Sequence, residues 1–253
     1  MSSSRLPQKV LKPILGKPML LHEVERLRRS KFIDKLIIAT STDASDDPIA
    51  ALGKENNVEV FHGNLEDVLD RYYCCAARYS PDHVVRVTGD CPVIDWRIVD
   101  RAVKQHLHDE NDYTSLSPQY PDGLDTEVIR FAALKEAWEN AVLPSEREHV
   151  TPYIRNNADK FRIGRVPADA DRSAMRWTVD ELRDFTFISK IYEELYPQNA
   201  DFSTEDILSL LAQHADWLQI NAGIVRNEGL LKSLAEDKAF AVENNDEQYA
   251  KII

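Results

Sequence analysis

The chain has 253 residues, 43% apolar and 29% charged, with a formal net charge of −12, so it can bury a sizeable core and has the composition of an ordinary globular protein. No run approaches the roughly 18 apolar residues of a spanning helix, and so acidic a chain lacks the broad basic surface that nucleic-acid binding needs. Three cysteines, Cys74, Cys75 and Cys91, two of them adjacent, suit a reducing cytoplasm better than a disulfide framework or a zinc site. Pro13, Gly16, Lys17 and Pro18 interrupt the start before a signal-peptide core could form, so a cytoplasmic protein without a membrane partner is expected.

Charge is unevenly placed. Residues 1–31 carry a net +6 and the remainder −18. A short basic segment on an acidic protein suits a small polyanion such as a nucleoside triphosphate, or simply a solvated basic face.

Pro18 is suited to a first helical position, and Leu20, Val24 and Leu27 recur at helical spacing through about residue 31. A buried strand at 35–40 (KLIIAT), a helix at 47–57, a strand at 58–61 and a helix at 66–79 follow. Residues 83–88 (HVVRVT) read as the next strand and 98–107 as the next helix. Beyond residue 111 the alternation loosens. Strands are predicted at 113–116, 126–131, 161–166 and 175–179, with helices at 132–140 and 145–156. From 181 onward only helices are expected, at 181–196, 204–214 and 229–235, with a polar end at 237–253 that frays. Alternating strands and helices predict an α/β fold with a mixed, mostly parallel sheet sandwiched by helices, as one domain over residues 1–200 with a helical appendage over 201–253.

Ligands of open α/β sheets bind at the carboxyl ends of the strands. The strand HVVRVT runs into Gly89-Asp90, and MRWTV runs into Asp180, so both deliver a carboxylate to one edge. Two such carboxylates could share a Mg²⁺ ion with phosphate oxygens, or each could cap the helix that follows.

The segment Ser2-Ser3-Ser4-Arg5-Leu6-Pro7-Gln8-Lys9 gathers hydroxyls, backbone N–H groups, a guanidinium and an ammonium, chemistry that cradles phosphates. It is not a Walker A loop, since Gly16-Lys17 is followed by Pro18. No GxGxxG occurs.

The run SSSRLPQKVLKPILGKPM resembles the signature of sugar-activating cytidylyltransferases of the spore coat polysaccharide F type, relatives of CMP-KDO synthetases. The similarity continues through EDVLDRY (66–72), RVTGDCP (86–92), YPDGLD (120–125), SEREHVT (145–151), RWTVD (176–180) and INAGIVRNEG (220–229), in that family's order. It implies a GT-A-like nucleotidyltransferase fold that joins CTP to an acidic or otherwise unusual sugar and releases pyrophosphate. Carried over by position, Ser3, Arg5, Lys9, Arg71 and Thr88 would bind the nucleotide, Asp90 and Asp180 would hold Mg²⁺, and Lys9, Asp90 and Asp180 would serve catalysis. Arg71 otherwise reads as a helix-surface partner of Asp67. A homodimer follows by analogy with the family.

Asp122, Asp125 and Glu127 could accept hydrogen bonds from sugar hydroxyls or merely shape an Asp-Gly turn. Ser145 to Glu148 matches a capping box, which leaves Arg147 and His149 to meet an acidic sugar. His106 and His108, two apart, are expected on the surface. Asp169-Ala170-Asp171 has the Asp-x-Asp pattern of a GT-A-type glycosyltransferase, an alternative activity. The family's pattern opens with an apolar strand and Ala-Arg before the position of Met1. Neither is in this sequence, so a missing first strand is expected, with Met1 as an internal methionine of a longer protein. Without that strand, the chain would be an inactive nucleotide-binding protein.

Overall fold

The computed structural model describes residues 5–226 and 228–243. A 3-10 turn at Lys9–Leu11 leads into β1 (Pro13–Ile14), which pairs antiparallel with β2 (Lys17–Pro18). Leu15 and Gly16 between them both have positive φ, the pattern of a type I′ hairpin turn. Helix α1 (Met19–Leu27) starts directly after Pro18 and buries Met19, Leu20, Val24 and Leu27, the apolar stripe that the spacing predicts.

Strand β3 (Ile37–Ser41), helix α2 (Asp47–Glu55) and strand β4 (Glu59–Gly63) form a βαβ unit with parallel strands. Helix α3 (Val68–Ala77), strand β5 (His83–Arg86) and helix α4 (Trp96–His108) follow. Then come β6 (Tyr113–Leu116), β7 (Glu127–Arg130), α5 (Phe131–Asn140), α6 (Pro144–His149), α7 (Pro152–Asn156) and β8 (Ile163–Val166). Helices α8 (Leu182–Leu195), α9 (Thr204–Gln213) and α10 (Glu228–Glu243) complete the described chain.

The larger sheet has the order β5-β7-β6-β8, in which β7 is antiparallel to both neighbours and β8 parallel to β6. This is the expected α/β architecture with a mixed sheet. Successive residues of β7 face opposite layers, as the pleat requires. Val128 enters the core formed with α4, α8 and α9, and Ile129 the core formed with α3, α5 and α7. Ile207, Leu210 and Leu211 of α9 belong to the first of these cores.

Strands β3 and β5 do not pair with each other among the described residues. Between them lies a slot of 480 Å³ whose walls include Leu36, Ile38, Val84, Val85 and, from α1, Glu23. Glu23 is buried and its Oε2 has no hydrogen-bond partner, and the same holds for Nε of Arg71 and of Arg86 beside the slot.

Several expectations need correction. Residues 175–179 form no strand. They make one isolated bridge, Asp122 with Arg176, and a backbone bond from Val179 N–H to the Asp90 carbonyl. Their apolar alternation comes from burying Trp177 and Val179, and no ladder accompanies it. The helix expected at 145–156 is two helices, because Val150 sits at φ 72, a conformation a β-branched residue rarely takes, and Pro152 starts the second. Ser145 does not cap α6. The Glu146 carboxylate takes the N–H groups of Val142 and Leu143, and Ser145 N–H donates to Asp237. Helix α10 runs through residue 243, well beyond 235; the rest of the polar end lies outside the described residues. His106 is fully buried, in line with Val99, Ala102 and Val103 on the inner face of α4, while His108 is exposed as expected.

Candidate active site

Three segments far apart in sequence meet at one edge of the sheet. Val87 and Thr88 carry the chain from β5 to Asp90, whose carboxylate accepts from Thr88 Oγ1 at 2.6 Å. The bond from Val179 N–H to the Asp90 carbonyl, 2.9 Å long, sets Asp180 beside it. The 3-10 turn at the start of the described chain supplies Lys9, preceded by Gln8 in the left-handed conformation. The Lys9 Nζ lies 2.9 Å from Asp90 and 2.8 Å from Asp180.

Burial by itself would lower the Lys9 pKa, but the two carboxylates outweigh it and hold the ammonium above its ordinary value. Burial would likewise raise Asp180, and Lys9 with Arg176 reverses the sign. The edge is therefore a position where two carboxylates share the Lys9 ammonium, with Arg176 and Arg5 also beside Asp180. Among the described residues no group of three or more His, Cys, Asp or Glu is placed to hold a metal. Asp90 and Asp180 offer two hard oxygen ligands, which fit a Mg²⁺ that takes its remaining ligands from phosphate and water.

Arg176 braces this edge from below. It is 8% exposed and bonds Asp122 at 2.9 Å, Asp180 at 2.7 Å and Asp184 at 3.0 Å. Asn221 closes the network on the Arg176 carbonyl and Asp184. The loop carrying Asp122 packs so tightly on Trp177 and Thr178 that a Cβ at Gly123 would come within 2.4 Å of the Thr178 backbone nitrogen. At φ +102 only glycine is comfortable there. Burial, helped by Asp125, pushes Asp122 up to about 6 against the pull of Arg226 and Arg176. Arg226 spans Asp122 at 3.5 Å and Asp125 at 3.2 Å.

The other expected residues separate into two groups. Arg5 is at the edge, 3.5 Å from Asp180 and 2.6 Å from Glu228, while Ser3 lies outside the described residues. Arg71 lines a cleft of 740 Å³ together with Lys9, Thr40, Asp46, Arg147 and Lys232. Its Nη1 donates to the Asn64 carbonyl, and the partner of Asp67 is Arg147 instead. His149 contacts Ser233 at 3.0 Å. Glu127 is turned into the protein, where it accepts from Arg86, Tyr113 and Thr151. Burial would raise it, and Arg86 with these hydroxyls keeps it below its ordinary pKa. Asp169 and Asp171 sit on an exposed loop, one facing Arg101 and the other bound to Ser173.

Sequence reasoning passed over Thr40 and Asp46. Asp46 accepts from Thr40 and Ser41 where β3 ends in the cleft. The strand-end rule that found Asp90 would have found them too. It also passed over Glu23, which burial and then Asp90 push far above the carboxylate range, a helix position that carries no motif signal.

No helix among the described residues is long and apolar enough to cross a membrane. The family model described as cytidylyltransferase matches residues 1–216. The chain is 32% identical over 223 residues to the spore coat polysaccharide biosynthesis protein SpsF of Bacillus subtilis, covering 85% of this chain and 92% of that one. A solved cytidylyltransferase from Leptospira borgpetersenii is 30% identical, with a TM-score of 0.83 over 89% of this chain and 95% of its own. The solved CMP:2-keto-3-deoxy-manno-octonic acid synthetase complexed with CTP shares the fold at 19% identity, TM-score 0.58, over 76% of this chain and 95% of that one. With its nucleotidyltransferase fold and its carboxylate edge beside a basic turn, the chain belongs to the cytidylyltransferase family.

Proposed function

We propose that the protein transfers CMP from CTP to a hydroxyl of a sugar, with release of pyrophosphate. The observation that carries this reading is the Lys9 ammonium held between Asp90 and Asp180 at the mouth of the 740 Å³ cleft. In the reaction the oxygen of a sugar hydroxyl forms a bond to the α-phosphorus, the bond from that phosphorus to the departing pyrophosphate breaks, and the hydroxyl proton passes to solvent. Such transfers depend on positioning and on neutralising charge. Arg5 and Lys9 bind the phosphates, Arg71 and Thr88 take the nucleotide side, and Asp90 with Asp180 hold Mg²⁺. That ion, when bound, supplies positive charge to the phosphate oxygens. Asp122 and Asp125 accept hydrogen bonds from the sugar hydroxyls. Arg147 lines the cleft while bound to Asp67, whereas His149 meets Ser233 and Glu127 is taken by Arg86, Tyr113 and Thr151.

Similarity to SpsF and the shared fold of the CMP-sugar synthetase support an acidic or related sugar as acceptor and a place in surface or spore coat polysaccharide biosynthesis. The test is pyrophosphate release on incubation with each of four nucleoside triphosphates, Mg²⁺ and a panel of sugars. Release that requires CTP and one sugar is expected. Turnover of a nucleotide-sugar donor without pyrophosphate would mark a glycosyltransferase, and binding of CTP without turnover an inactive nucleotide-binding protein.

A further inference from the structure

Helix α10 places two polar residues on its buried face, beside Leu230, Phe240 and Ala241, and leaves several apolar ones outside. Its buried positions are Ser233, Asp237 and Ala241, while Leu231, Leu234 and Val242 face outward, 58%, 39% and 78% exposed. A helix docked only for stability buries its apolar stripe. Here the seam also holds two buried polar side chains with specific partners. The Asp237 carboxylate, 1% exposed, accepts the Ser145 N–H at 2.8 Å where α6 begins. One turn earlier, Ser233 meets His149 Nε2 at 3.0 Å and donates to Glu148. Buried polar contacts of this kind fix one register, because sliding the helix would leave each group unpaired.

That register turns Lys232 and Glu236 into the nucleotide cleft. Four cations line it among the described residues. Lys9 is held by Asp90 and Asp180, Arg147 by Asp67, and Arg71 reaches the Asn64 carbonyl. Lys232 is the least engaged, 81% exposed and 3.7 Å from Glu236, an i,i+4 surface contact that solvent screens.

We propose that Lys232 is a further polyphosphate-binding residue, carried to the cleft by α10 from the far end of the chain. The inference rests on the cleft being the triphosphate site. Its ammonium lines the cleft together with Lys9, Arg71 and Arg147, and Ser233 and Asp237 are positioning residues that hold α10 in place for it.

Calorimetric titration of the full chain with CTP and, separately, with inorganic tripolyphosphate tests this. Lys232→Ala should weaken both by about tenfold, the loss of one charge-assisted contact, with an unchanged Tm in the absence of ligand. Lys232→Arg should restore most of the affinity. Asp237→Ala, which loosens α10, should cause a similar loss, and the double variant should be no worse than either single one. If Lys232→Ala binds both anions as the parent does, the proposal fails. If the parent binds tripolyphosphate through Lys232 but shows no preference for CTP, the cytidylyl reading fails and Lys232 stands. If the parent binds neither anion, both fall together.

Discussion

The two halves of the sheet differ in how completely they are built. In the half made by β5, β7, β6 and β8, every strand pairs with a neighbour and both faces are covered, with Trp177, Val179, Ile188 and Ile191 at 0% exposure. The half made by β3 and β4 stands beside the 480 Å³ slot, where the facing edges of β3 and β5, Glu23 Oε2 and two arginine Nε atoms have no partner among the described residues. Unpaired buried polar groups cost about 1–3 kcal/mol each, so the slot is where this fold is weakest. The loop carrying Asp122 and the Arg176 network belong to the complete half. The 740 Å³ cleft borrows Thr40 and Asp46 from the incomplete one.

The largest expected effect of this difference is on packing. Phe187→Ala in the closed core should cost about 3–5 kcal/mol, whereas Ile38→Ala, on a wall that already faces a void, should cost about 1 kcal/mol. Equal losses by chemical denaturation would erase the contrast between the halves. Next in size is the effect of filling the slot. An apolar five-residue extended segment fused ahead of residue 1 should raise Tm by about 5 °C, roughly 2 kcal/mol, and slow amide exchange in β3 and β5. The same fusion with proline at alternate positions, unable to donate to both edges, should do neither. Protection confined to the fused segment would mean that the slot does not accept a strand.

The smallest effect is on pH dependence, and it belongs to the complete half. His106 Nε2 meets His83 Nδ1 at 3.0 Å and its Nδ1 meets Thr114 Oγ1 at 3.0 Å. Burial first, then His83 and Arg130, lower its pKa to about 4. An unfolded histidine titrates near 6.5. Because the folded value is depressed, stability is complete above about 6.5 and declines as pH falls toward about 4. His106→Gln should flatten the denaturation midpoint over that window, and an unchanged slope would show that the pair does not govern acid sensitivity.

How much of this was legible in the sequence follows from the same contrast. Strand β6 appears at its predicted limits, and helices α1, α3 and α4 within a few residues, because each has a strong apolar period. Asp90 could be read from the end of β5, and Lys9, Asp90 and Asp180 together from the family blocks, whereas the strand supposed to deliver Asp180 is not formed. The extended segment at 175–179 could not, since burial against a core imitates the alternation of a strand. Helix α10 was legible only over 229–235 and not through 243, because Ser233 and Asp237 break the apolar pattern of its buried face. Arg147, His149 and Glu127 were legible as chemistry but not as position; only the fold shows that Asp67, Ser233 and Arg86 engage them.

Cytidylyl transfer at the Lys9–Asp90–Asp180 edge is tested most directly by CTP-dependent pyrophosphate release by the parent and by Lys9→Ala under saturating Mg²⁺ and acceptor. A parent rate that falls about 10²–10³-fold in the variant, the size typical of removing one preorganised charge-stabilising donor, is the expected result. Release of pyrophosphate at the parent rate by Lys9→Ala would contradict it.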